Sequence, residues 1–295
     1  MKFFVTGASG FVGSAVIREL IAGGHDVVGL ARSDASAEAV AAAGAQVHRG
    51  DLSDPDSLRA AAEASDGVAH LAFHHDFDDF AHAGELDRRA IEALGEDLAG
   101  SGRPLVVTSG MAGNTPGRAL TENDGAHPGM PRVSEHAALP FTGRDVRVAI
   151  VRLSPTVHGQ GDYGFVPRLI DIAREKGVAA YPGDGTNRWP AVHRLDAARL
   201  FRLALEEAPD GAVLHGVAEE GIATRDIAGV IGRHLNLPVT AVPVEEAVDH
   251  FGWLGGFFSA DIPASSALTR ERFGWQPTGV GLLEDLEQGH YFEPR

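Results

Sequence analysis

Along the first half of the chain, short apolar runs alternate with longer stretches in which apolar residues recur at helical spacing. The runs predict strands over 3–5, 26–30, 45–48, 67–72, 105–108 and 147–153. The stretches between them predict helices over 14–22, 35–43, 56–64 and 79–98. Gly23-Gly24 and Gly44 stop the first two helices, and Asp54-Pro55 supplies a cap and a first-turn proline for the third. Strands that alternate with helices of this length specify a parallel sheet covered on both faces, because parallel neighbours need a crossover that packs back on the sheet. The predicted class is α/β, a doubly wound Rossmann-type fold.

Beyond residue 153 the pattern loosens and Gly and Pro become frequent, with helices predicted over 166–176, 196–207, 224–235 and near 282–287. The aromatic cluster Phe251, Trp253, Phe257 and Phe258 suits either a local core or the wall of an apolar substrate pocket. A smaller mixed lobe is expected: residues 1–152 with 190–216 form a dinucleotide-binding domain, and 153–189 with 217–295 a substrate-binding lobe.

The 295 residues include no cysteine, which excludes disulfides, thiolate metal sites and a cysteine nucleophile. A net charge of −16 argues against nucleic acid and against an anionic membrane surface, since both need Lys and Arg to meet phosphate. No apolar run reaches the ~18 residues of a membrane span. The start Met1-Lys2-Phe3-Phe4-Val5 is too short for a signal-peptide core, so a cytoplasmic location is expected. The chain also lacks a Gly-x-Ser-x-Gly elbow, which weighs against a serine hydrolase.

The sharpest signal is Thr6-Gly7-Ala8-Ser9-Gly10-Phe11-Val12-Gly13, lying between the first strand and the first helix. Glycines there permit a tight turn, close approach of a diphosphate to backbone N–H groups, and tight helix–strand packing. In this context the loop reads as a dinucleotide site rather than a structural turn. After the second strand comes Ala31-Arg32-Ser33, with no acid before Asp34. A carboxylate at that point would hold a ribose diol and repel a 2′-phosphate, whereas Arg32 and Ser33 suit the phosphate, so NADP(H) is expected over NAD(H). The bland alternative is a solvated surface arginine.

In these motifs the sequence resembles the short-chain dehydrogenase/reductase superfamily, in the extended or atypical branch that includes NAD-dependent epimerase/dehydratase-like proteins. The resemblance runs on through Gly50-Asp51-Leu52, His70-Leu71-Ala72-Phe73, Val106-Val107-Thr108-Ser109, the run from Arg152 to Gly159, Val192-His193-Arg194-Leu195-Asp196 and Phe273-Gly274-Trp275-Gln276-Pro277. It implies cofactor contacts from Gly7, Ser9, Gly10, Phe11, Val12 and Gly13 around the diphosphate. It implies others from Arg32, Ser33, Asp51 and Leu52 at the adenosine, and from Leu71, Ala72, Phe73, Thr108 and Pro155 towards the nicotinamide. A homodimer and a small-molecule substrate are further implications.

The chain departs from the family at the acid–base pair. Family members use Tyr-x-x-x-Lys with a helper serine, the lysine lowering the tyrosine's pKa. Aligning Ser134-Glu135 with the family's Ser-Lys puts Pro131 in the tyrosine column, Glu135 in the lysine column and Gly110 at the helper serine. None of Tyr163, Tyr181 and Tyr291 is followed four residues later by lysine. Candidate replacements are Ser109 beside the end of the fifth strand, His75 within His74-His75-Asp76, and Tyr163 in the glycine-rich loop after the sixth strand. Each has a plain alternative as a loop cap, a polar loop or a packing tyrosine, and His158 and His193 read as structural. Asp78 and His82 share a helix face, but acids enrich a first helical turn anyway and no metal is expected.

The expected function is therefore an NADP(H)-dependent oxidoreductase acting on a carbonyl, alcohol or conjugated enone of a small, largely apolar molecule. Reduction of an activated double bond tolerates loss of the tyrosine better than ketone reduction does. Two alternatives stand beside it: a non-catalytic NADP(H)-binding regulator or scaffold, and an epimerase or dehydratase that uses the cofactor transiently. The latter leans on the absent acid–base pair.

Overall fold

The computed structural model describes residues 1–74, 79–111, 118–126 and 132–293. Its larger lobe runs β1 (Lys2–Thr6), α1 (Phe11–Ala22), β2 (Asp26–Ala31), α2 (Asp34–Ala42), β3 (Gln46–Arg49), α3 (Pro55–Glu63), β4 (Gly67–His70), α4 (Phe80–Leu98), β5 (Pro104–Gly110), α5 (Ser134–Ala138) and β6 (Arg147–Leu153). The chain continues through β7 (Thr156–His158), α6 (Phe165–Lys176), β8 (Ala179–Pro182), β9 (Arg188–His193), α7 (Arg194–Glu207), β10 (Ala212–Gly216), β11 (Glu219–Ala223), α8 (Thr224–Leu235) and β12 (Val239–Val242). It ends in α9 (Ala247–Phe251), α10 (Leu254–Phe258), α11 (Ala267–Phe273) and α12 (Leu282–Glu287).

Seven strands form a wholly parallel sheet in the order β10-β6-β5-β4-β1-β2-β3. Its central strands are apolar on both faces, as a doubly covered sheet requires. Phe3 and Val5 of β1 pack with α1 and α7, while Phe4 packs with α3 and α4 on the opposite face. The order reverses between β1 and β4, so a crevice opens beyond their carboxyl ends, the position where open α/β sheets bind ligands.

The smaller lobe has a three-stranded sheet, β11-β9-β7, and a parallel pair, β12-β8. Its core unites α6, α8 and α12 with Trp189, Phe251 and Phe258. The aromatic cluster divides: Phe251 and Phe258 are buried, whereas Trp253 and Phe257 remain 38% and 39% exposed.

Several predicted boundaries move for identifiable reasons. The first helix begins at Phe11 rather than 14, because Gly10 is extended (φ −75°, ψ 173°) and serves as its N-cap. The fourth strand ends at His70 rather than 72, since the Leu71 and Ala72 amides turn away to donate to Thr6 Oγ1, each at 3.1 Å. The fifth strand extends through Gly110, which pairs with Leu153 of β6. The short strands of the smaller lobe lie where no alternation predicted them. Among the described residues, no helix is long and apolar enough to cross a membrane.

Candidate functional site

The glycine loop follows directly from β1. Gly7 has φ +64°, and a Cβ there would lie 2.7 Å from the Ala72 amide nitrogen. A Cβ on Gly13 would lie 2.0 Å from the Gly7 carbonyl oxygen, so helix α1 packs against the turn as closely as backbone permits. The Gly10 amide closes the turn on the Gly7 carbonyl at 2.9 Å. The first amides of α1, with the positive end of its dipole, are thereby directed into the crevice. These residues fit a dinucleotide diphosphate: the turn excludes side chains at the points of closest approach and leaves N–H donors facing outward.

A groove of about 920 Å³ runs from this turn along the strand ends. At one end it is lined by Arg32, Ser36, Asp51, Leu52 and His74, in the middle by the glycine loop, Leu71, Ala72 and Phe73, and then by Thr108, Ser109 and Pro155. Beyond these it widens into an apolar chamber walled by Phe80, Phe165, Trp189, Trp253, Phe257 and Ile262.

The polar groups at the Arg32 end are specifically arranged. Arg32 Nη1 donates to His74 Nε2 at 3.2 Å, which makes that imidazole nitrogen an acceptor. Asp51 accepts from the Ser53 amide at 2.8 Å and the Ser53 hydroxyl at 2.7 Å, bonds that hold its carboxyl below the usual range. Asp34, the first acid after β2, is paired with Arg49.

Below the groove a buried hydrogen-bond chain links β1 to its far end. Thr6 Oγ1 accepts from two amides, so its proton goes to His70 Nδ1 at 2.9 Å. That fixes His70 as the Nε2–H tautomer, donating to Asp87 Oδ1 at 3.1 Å. The second Asp87 oxygen accepts from the Ser134 hydroxyl at 2.5 Å, and Ser134 Oγ in turn accepts from Arg132 Nε at 3.1 Å. His70 and Asp87 are each 1% exposed, so the carboxylate is buried and its countercharge is Arg132, reached through Ser134.

Arg132 emerges at the end of β5. Its Nη2 donates to the Thr108 carbonyl at 3.0 Å, and its guanidinium lies 4.4 Å from the centre of the Phe73 ring. Glu135 is engaged differently: Arg152 of β6 donates to both its oxygens, at 2.6 and 3.0 Å, and donates a third bond to His215 Nε2 at 3.3 Å. Glu135 in the lysine column is therefore a neutralised member of a buried pair rather than a free base.

Of the sequence-predicted cofactor residues, all but Ser33 line the groove. Ser33 is the N-cap of α2, accepting from the Ser36 amide at 3.2 Å, and it is Ser36 that faces the groove. Among the catalytic candidates, Ser109 lines the groove at the end of β5. Tyr163 lies in the predicted glycine-rich loop and also lines the groove. Its loop is tied down by Arg194, which donates to the Gln160 carbonyl, and by Tyr291, which accepts from the Gly159 amide. The Tyr163 hydroxyl accepts from the Phe11 amide at 3.2 Å, at the glycine turn. His75, with Asp76, Asp78 and Pro131, lies outside the described residues. His158 is buried against Asp285, and His193 caps α7.

Sequence reasoning missed Arg132 and the chain behind it. A signal existed for Asp87: it occupies the buried stripe of α4 formed by Ala83, Ala90, Ile91 and Leu94, where an acid needs a partner. No sequence signal marked Arg132, which is defined by where α5 begins.

Comparison with known proteins agrees with this architecture. Residues 3–92 match the NAD dependent epimerase/dehydratase family. The chain is 50% identical over 295 residues to an uncharacterized protein of Schizosaccharomyces pombe, covering 99% of this chain and 100% of that one. It is 31% identical over 238 residues to the 2-alkyl-3-oxoalkanoate reductase of Stenotrophomonas maltophilia, covering 74% of this chain and 69% of that enzyme. Its fold is similar to that of DesIV, a dTDP-glucose 4,6-dehydratase from Streptomyces venezuelae solved with NAD and TYD bound. That match has a TM-score of 0.78 at 20% identity, over 99% and 97% of the two chains.

Proposed function

The chain belongs to the NAD-dependent epimerase/dehydratase family, and from that premise we propose that it is an NADP(H)-dependent oxidoreductase acting on a carbonyl of a small, largely apolar molecule. The observation that carries this reading is the continuity of one groove, which joins a polar end with Arg32, a turn suited to a diphosphate and an aromatic chamber, with Ser109 lining it at the end of β5. When bound, the nicotinamide would supply or accept the hydride. The protein's part is to orient the acceptor and keep water from it, which Phe165, Trp189, Trp253 and Phe257 suit by their bulk.

Preference for the 2′-phosphorylated cofactor is supported by the charges around the Arg32 end. Arg32 lines the groove, while the nearest following acid, Asp34, is paired with Arg49. A guanidinium meets phosphate with charge-assisted bonds that a ribose diol cannot match. Reduction of a ketone is supported by the relationship to a reductase of 2-alkyl-3-oxoalkanoates. An epimerase reading is weakened by Glu135, whose pairing with Arg152 leaves no lysine-like donor there.

The test is cofactor oxidation with purified protein, NADPH and a panel of 3-oxo acids, their esters, plain ketones and enones. Turnover of a carbonyl substrate with NADPH is expected. Tight NADPH binding with no turnover across the panel would favour a non-catalytic binding protein instead.

A further inference from the structure

The Arg132 guanidinium is held on one side by hydrogen bonds and, among the described residues, lines the groove with the other. Nε is fixed by Ser134, itself fixed by buried Asp87, and one Nη2 hydrogen is fixed by the Thr108 carbonyl. Neither hydrogen on Nη1 meets an acceptor among the described residues. The next residue of β5, Ser109, presents a hydroxyl that makes no hydrogen bond with a described residue, and both side chains line the groove where it enters the aromatic chamber. Two donors of different kinds thus line the groove by the end of β5, Ser109 itself buried and Arg132 tied to the carbonyl of the residue before it. Such an arrangement stabilises negative charge on an oxygen far better than solvent-exposed donors do, because its dipoles need no reorganisation.

We infer that Arg132 and Ser109 form an oxyanion-binding site, with Arg132 replacing the tyrosine as the group that polarises the substrate carbonyl. The inference rests on the carbonyl-reduction reading above. A bound reduced nicotinamide would supply a hydride to the carbonyl carbon; the π electron pair would then pass to oxygen, and the Arg132 guanidinium would take up the alkoxide charge. Arginine stays protonated, so the proton that completes the alcohol comes from water, whose hydroxide is neutralised by solvent. The ligand class is an apolar or aromatic body bearing a single oxyanion or polarised carbonyl oxygen.

The probe is 4-nitrophenol, whose yellow anion has an aromatic body and one charged oxygen. Titrated by absorbance across pH, the phenol bound to wild-type protein is expected to ionise about one pH unit lower than the free phenol, a roughly tenfold preference for the anion. Arg132→Gln is expected to abolish that preference, Arg132→Lys to keep part of it, and Ser109→Ala to reduce it by less than Arg132→Gln does. Because Arg132 balances Asp87, the double variant Asp87→Asn with Arg132→Gln serves as the folded control and is expected to lose the preference equally. No binding of the anion by wild type, or an unchanged preference in the Gln variants, overturns the inference. Wild type that prefers the anion but reduces no carbonyl would instead overturn the proposed reaction and leave this site standing.

Discussion

The hydroxyl oxygen of Tyr163 accepts a hydrogen bond from the Phe11 amide at 3.2 Å, so a side chain of the smaller lobe occupies the first amide of α1. The contact is reinforced by the Phe11 ring, packed edge-to-face on the tyrosine with 6.1 Å between ring centres, and by Arg194, whose guanidinium lies 4.4 Å from the Phe11 ring centre. A diphosphate bound at the turn would draw on the same donor, so the tyrosine and the cofactor are expected to compete. Tyr163→Phe should tighten NADPH binding about two- to tenfold, the scale of one exposed hydrogen bond. Fluorescence titration checks this, and weaker binding would mark Tyr163 as a ligand of the cofactor.

The Asp87 carboxylate gathers the His70 N–H and the Ser134 O–H, and through Ser134 it balances Arg132. Removing it leaves two buried donors unpaired and a guanidinium without its countercharge. Asp87→Ala should destabilise the fold by about 3–5 kcal/mol in urea unfolding. A loss under about 1 kcal/mol would mean that the chain bears no stability, against what its burial requires.

The larger lobe was legible because its strands and helices carry the two periodicities that burial on a doubly covered sheet enforces. The glycine loop was legible because turn, close approach and packing each demand glycine, and Gly7 and Gly13 meet those demands. Other features depended on contacts distant in sequence. The fourth strand stopped early because Thr6, sixty-odd residues before it, captures two amides. Ser33 was expected at the groove, but the capping geometry of α2 engages its hydroxyl with Ser36, and it is Ser36 that lines the groove. Arg132 acquires its role from Asp87 on α4 and Thr108 on β5, neither of them near it in the chain.

His215 adds a pH dependence. Its Nδ1–H donates to the Ser265 carbonyl at 2.8 Å and its Nε2 accepts from Arg152, so the folded protein holds the neutral ring. Burial pushes the His215 imidazole below its ordinary 6.5, with Arg152 acting in the same sense and Glu122 and Glu135 opposing. Below 6.5 the unfolded chain binds a proton that the folded chain refuses, so stability is full above that pH and falls as the solution is acidified towards the folded value. The slope that this residue adds, read by urea unfolding at a series of pH values, is bounded by one proton's worth, about 1.4 kcal/mol per pH unit. His215→Gln should flatten the profile; an unchanged slope would assign the acid sensitivity to other groups.

The central claim is that the turn after β1 grips a dinucleotide whose extra phosphate is read by Arg32. Calorimetric titration of the wild-type protein and Arg32→Ala with NADPH and with NADH tests it directly. The account predicts tighter binding of NADPH by wild type, and a loss of about 10- to 100-fold for NADPH in the variant with little change for NADH. No heat with either coenzyme, or equal losses for both in Arg32→Ala, would contradict it.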